Sequence, residues 1–191
     1  MSINLLEAVQ KNLGYPPLHK IDPNTEHIVK DQKAEEKFSQ AAIPAVLTAL
    51  YRYVQTDEGA ADFLQGSMAP DWTNKIFNDH SMEAVEKISA YARESNTDPI
   101  EKMNEIGNEA IKTVKEHLPA GSGIKEVKDF MSGQRNIILL YLLPELNMGK
   151  ILQDGTLDDN THKMEGPVSS LMQSIGAAFS NPVTGEEIKP D

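Results

Sequence analysis

Carboxylates and one imidazole crowd residues 154–165, and donors at that density are what a cation needs. Counted from Asp154, Asp158 stands fifth, Asn160 seventh and Glu165 twelfth, which matches in part the calcium loop of an EF-hand. Two positions depart from that loop: the sixth is Asp159 where glycine makes the sharp turn, and the third is Thr156, a poorer oxygen donor. His162 falls at helical intervals from Asp158 or Asp159 and close to Glu165, which adds an imidazole for zinc or iron. The competing reading is a solvated acidic turn ahead of a helix, where the helix dipole favours carboxylates. The candidate metal set is Asp154, Asp158, Asn160, His162 and Glu165, and no resident cofactor is expected.

Other chemistry-bearing residues have plainer readings. Glu101, Glu105 and Glu109 share one helical face, but a di-metal bundle needs Glu-x-x-His pairs and none occurs; Lys112, Lys115 and Glu116 make this an ion-paired, solvated face. His117 stands at a helix end, where it caps carbonyls. There is no G-x-S-x-G elbow, and the Gly121-Ser122-Gly123 turn lacks the lysine and preceding strand of a phosphate loop. No catalytic residue emerges, and the chain is expected not to be an enzyme.

The elements that must position these residues are helical, since almost every periodic stretch repeats at helical spacing and no long alternation signals a strand. Leu5, Leu6, Val9 and Leu13 form the face of a first helix that stops at Gly14, followed by a proline-containing arm through Pro16, Pro17 and Pro23. Phe38, Ala42, Val46, Leu50 and Val54 recur every fourth residue. Ala61, Phe63 and Leu64 mark a short helix closed by Gly66; Trp72, Ile76 and Phe77 dock on the core; Met82, Val85, Ile88 and Ala92 mark the next helix. Asp98-Pro99-Ile100-Glu101 supplies an N-cap carboxylate, a first-turn proline and a capping-box glutamate for a long helix through Met103, Ile106, Ala110 and Val114. Ile124, Val127, Phe130 and Met131 read as a short helix punctuated by Gly133, and Val168, Leu171, Met172, Ile175 and Phe179 as the face of a last one.

Two apolar segments, residues 41–51 and 136–146, each contain a proline, Pro44 and Pro144. Each proline is expected to begin a new helix after a corner, because it lacks the N–H that would pair with the carbonyl four residues earlier, Gln40 or Leu140. Residues 137–143, apolar on all sides, are expected to form the buried central helix.

The chain of 191 residues is long enough for one sizeable core, and 39% hydrophobic with 25% charged residues marks a globular composition. With 18 basic against 29 acidic residues, the net charge of -11 argues against nucleic acid or an anionic membrane as partner. Cysteine is absent from the sequence, so disulfides and thiolate sites are excluded. The start of the chain has no signal-peptide pattern, and the longest apolar run is too short to cross a bilayer; a cytoplasmic protein is expected.

The segments Ala41-Ala42-Ile43-Pro44-Ala45-Val46-Leu47, Asp57-Glu58-Gly59-Ala60 and Leu142-Leu143-Pro144-Glu145-Leu146-Asn147-Met148-Gly149 resemble the YidB-like family of bacterial proteins of unknown function. The likeness spans roughly residues 38–150; it implies a helical domain and supplies no catalytic residue.

The expected fold is all-α, a single multi-helix orthogonal bundle around a buried central helix, with an N-terminal helix and arm over 1–30, the helical domain over 31–180 and a flexible tail over 181–191. The expected role is non-catalytic, a module that binds a protein partner or itself. The almost uncharged stretch 166–180 permits binding in a partner groove, with docking on its own core the plainer outcome for its length and spacing. The alternative is a ligand- or metal-binding protein using residues 154–165.

Overall fold

A computed structural model describes residues 3–21, 33–66, 71–93 and 98–157. The candidate residues Asp158, Asn160, His162 and Glu165, the apolar stretch 166–180 and the tail lie outside the described residues. Among the described residues there are eight α-helices, two 3-10 turns and no strand, so the chain is an all-α bundle. The helices are α1 (Leu5–Asn12), α2 (Ala34–Val54), α3 (Asp57–Gln65), α4 (Trp72–Phe77), α5 (Ser81–Ala92), α6 (Pro99–His117), α7 (Ile124–Leu139) and α8 (Met148–Ile151).

Local chemistry accounts for most of the helix ends. Asn4 caps α1 through Glu7 N, and Thr56 caps α3 by accepting from Gly59 N at 2.9 Å. Asp98 accepts from Ile100 N and Glu101 N at 3.0 and 3.3 Å, with Pro99 in the first turn of α6 as its spacing predicts. At the other end of α6, His117 Nδ1 lies 2.7 Å from Thr113 O, the expected carbonyl partner. Glu126 reaches back to Gly123 N at 2.8 Å and so closes the start of α7.

The central helix is α2, not residues 137–143. Every residue from Phe38 to Leu50 is buried, and α1, α3, α4, α5, α6 and α7 all pack on it. Ala41, Ala42, Ala45 and Ala49 explain how one helix accommodates so many neighbours, since helix axes approach to ~8–10 Å according to side-chain size. Phe38, Leu47 and Leu50 are fully buried among them, each worth about 1.5–3 kcal/mol over exposure.

Pro44 also corrects the expectation, because α2 runs through it without a break. An interior proline costs ~3 kcal/mol, so packing from all sides holds the helix where backbone preference alone would turn it. Pro144 behaves as expected and opens a 3-10 turn, Pro144–Leu146, after the extended Leu143. It also explains why the apolar run is not one helix. Ahead of it, α7 ends at Leu139 with Ile137, Leu139, Leu140 and Leu142 only half-buried, and the carbonyl of Leu140 accepts from Ile21 N at 2.8 Å. Gly133, expected to end a helix, lies inside α7 on its exposed side.

Three glutamines fix the N-terminal segment to this body. Gln134, buried on α7, accepts from Leu5 N and donates to Ile3 O, both at 3.0 Å. Gln40, buried on α2, accepts from His19 N at 2.8 Å and donates to His19 O at 3.0 Å and Tyr141 O at 3.3 Å. Gln10 donates to Tyr15 O. Residues 3–21 are thus pinned by side-chain amides that imitate backbone partners. No described helix is long and apolar enough to cross a membrane.

Candidate functional site

Of the five candidate metal ligands, Asp154 alone is among the described residues, and its carboxylate is already engaged. Oδ1 accepts from Thr156 N at 3.1 Å and Thr156 Oγ1 at 2.7 Å, while Oδ2 lies 3.5 Å from Arg52 Nε. It holds a turn that fastens the chain back onto α2, helped by Arg135 donating to Thr156 O at 3.1 Å. Among the described residues no three His, Asp or Glu side chains gather as a metal would require. Glu109, from the acidic face of α6, pairs with Lys112 at 3.4 Å and accepts from Asn12 at 2.8 Å, so it is ion-paired as expected but, with its side chain 14% exposed, not solvated.

A cleft of 610 Å³ opens beside the Asp154 turn. That is within the ~300–1,000 Å³ of small-molecule sites. Five short pieces of chain build it. The end of α2 and the turn after it give Arg52, Tyr53 and Thr56; the first turn of α3 gives Glu58 and Gly59. The end of α4 contributes Lys75, Ile76 and Phe77, the 3-10 turn 78–80 gives Asn78, Asp79 and His80, and α8 with its exit gives Ile151, Leu152 and Gln153.

Gly59 is required where it stands. A Cβ there would overlap the carbonyl oxygen of Tyr53 and come within 2.8 Å of its carbon and 2.9 Å of Thr56 Oγ1, so α3 starts hard against the end of α2.

One wall is a bonded set of unlike groups. Lys75 Nζ lies 2.9 and 3.2 Å from the two oxygens of Asp62, and the Tyr53 hydroxyl donates to Asp62 Oδ2 at 2.8 Å. The same ammonium sits 5.0 Å from the centre of the buried Trp72 ring, which Tyr53 meets edge-on at 6.3 Å. Burial, followed by the bond to Asp62, pushes the Tyr53 phenol up to about 12. The hydrogen bonds from Lys75 and then Tyr53 hold the Asp62 carboxyl below its usual range.

His80 forms another part of the lining. Its Nε2 lies 3.0 Å from Gln153 Nε2 and its Nδ1 3.6 Å from Glu83 Oε2. Two non-glycine residues of this cleft have left-handed backbones: Asn78, with φ 48 and ψ -133, and Gln153, with φ 54. Such conformations are costly for side-chain-bearing residues and gather at sites where geometry is functional.

No helical or acidic motif marks these residues, which is why sequence periodicity passes over them. The signal that was present lies in turn chemistry: Asn78-Asp79 after an apolar pair, and Gln153-Asp154-Gly155. No protein-family model, curated protein or solved structure matches the chain.

Proposed function

We propose that this chain is a non-catalytic binding protein whose ligand is a small polar molecule held in the cleft between the end of α2, the 78–80 turn and α8. The observation that carries this reading is the cleft itself: 610 Å³, walled by five separate elements, with two left-handed non-glycine residues on its lining. It belongs to the ligand-binding alternative of the sequence reading, with the site beside Asp154 in place of the acidic stretch. A partner-binding module calls for an apolar surface, and among the described residues the exposed large hydrophobic side chain is Met82, at 57%.

The test is a fragment screen on the full chain followed by amide resonances. Binding is expected to move the resonances of Arg52, Phe77, Asn78 and Gln153 together. Fragments that perturb other faces and never these would overturn the reading. Light scattering at several concentrations tests self-association separately.

A further inference from the structure

We infer that the ligand is a zwitterionic peptide of about dipeptide size, its carboxylate on Arg52 and its ammonium on Glu58 and Asp79; this rests on the cleft being the binding site. Among the charged groups on the walls, Lys75 already satisfies both oxygens of Asp62, and His80 is engaged by Gln153 and Glu83. What remains is of two signs. Arg52 uses only Nε, towards Asp154, and leaves both terminal amino groups without a partner among the described residues. Glu58 and Asp79 make no hydrogen bond or ion pair to another described residue.

A plain anion fits poorly, because it meets those two carboxylates and the field of a chain with net charge -11. A plain cation leaves the two terminal amino groups of Arg52 unsatisfied. A molecule carrying both charges satisfies each wall, and the half-buried Tyr53 and Leu152 offer it a little apolar surface, Phe77 being 2% exposed beneath the lining. Guanidinium recognises a carboxylate bidentately, and such charge-assisted bonds are stronger than neutral ones.

Four probes decide the matter by titration against the full chain: leucyl-leucine, its N-acetyl form, its C-terminal amide, and the form blocked at both ends. The free dipeptide is expected to bind in the cleft about tenfold or more tightly than either singly blocked form, as loss of one charge-assisted bond implies. Arg52→Gln is expected to erase the advantage of the free dipeptide over the amide while leaving the advantage over the N-acetyl form. If that variant does not fold, the four-probe series decides alone. Equal binding of all four, or binding of a singly blocked form as tight as the free dipeptide, overturns the zwitterion and leaves the cleft standing. The same holds if only non-peptide fragments bind there. If no probe and no fragment binds in the cleft, both readings fall.

Discussion

At the scale of single residues, two glycines give opposite expectations. The Cβ of Gly59→Ala has no room beside the Tyr53 carbonyl, whose oxygen and carbon are backbone atoms that cannot rotate away. Overpacking of this kind costs about 1–3 kcal/mol. Gly133 lies in the exposed middle of α7, where an added Cβ meets nothing within 4 Å, so Gly133→Ala should stabilise by ~0.5–1 kcal/mol. Urea unfolding of both variants checks the pair; equal effects would refute the packing at Gly59. Tyr53 gives a prediction in pH. Its folded phenol titrates at about 12, above the ordinary 10.0, so its contribution to stability is complete below pH 10 and is lost as pH rises through about 12. Absorbance titration should show a late tyrosine step near pH 12 that Tyr53→Phe reduces, Tyr91 being raised by burial as well. Asp62 has the opposite sign: its carboxyl is lowered, so its contribution is present above the ordinary carboxyl range and is lost as pH falls through its folded value.

At the scale of elements, the N-terminal segment depends on α2 and α7 through side-chain amides. Gln40→Ala removes three hydrogen bonds at once and leaves His19 N, His19 O and Tyr141 O short of a partner. Each such loss costs ~1–3 kcal/mol where the group stays buried, and less here because His19 reaches solvent. Hydrogen exchange should accelerate at His19 and Ile21 while the amides of α2 stay protected; unchanged exchange would mean the arm is held by its apolar contacts instead. The elements themselves were largely legible in the sequence. Asp98-Pro99 announced α6 to the residue, and the four-residue spacing from Phe38 to Val54 announced α2. Which helix is central was not legible, because hydropathy ranks residues 137–143 above the alanine-rich α2, whereas centrality depends on how closely neighbours approach. Pro44 misled for a related reason: backbone preference is local, and the burial that overrides it comes from six other helices. The cleft was illegible because its walls are helix ends and turns, which carry no period.

At the scale of the whole molecule, a net charge of -11 sets the background against which any cation effect has to be judged. Raising salt from about 0.01 to 0.1 M shortens the Debye length from ~30 to ~10 Å, which relieves self-repulsion, while exposed pairs such as Lys75–Asp62 weaken by no more than the ~0–1 kcal/mol they contribute. The melting temperature should therefore rise with sodium chloride, and a fall would show that local pairs outweigh the net field. A divalent cation added without compensation would raise it for the same non-specific reason, so calcium has to be titrated at constant ionic strength. Under that condition a bound ion stabilises as RT ln(1 + [L]/Kd), rising with the logarithm of free ion and without a plateau. Asp154 would join such a site in competition with Arg52 at Oδ2, its Oδ1 already accepting the two donors of Thr156. The expected result is no calcium-dependent rise in melting temperature, in the native chain or in Asp154→Ala, beyond the lower starting point that loss of the Asp154 turn gives the variant. A rise in the native chain that Asp154→Ala abolishes would favour the alternative of the acidic stretch over the cleft.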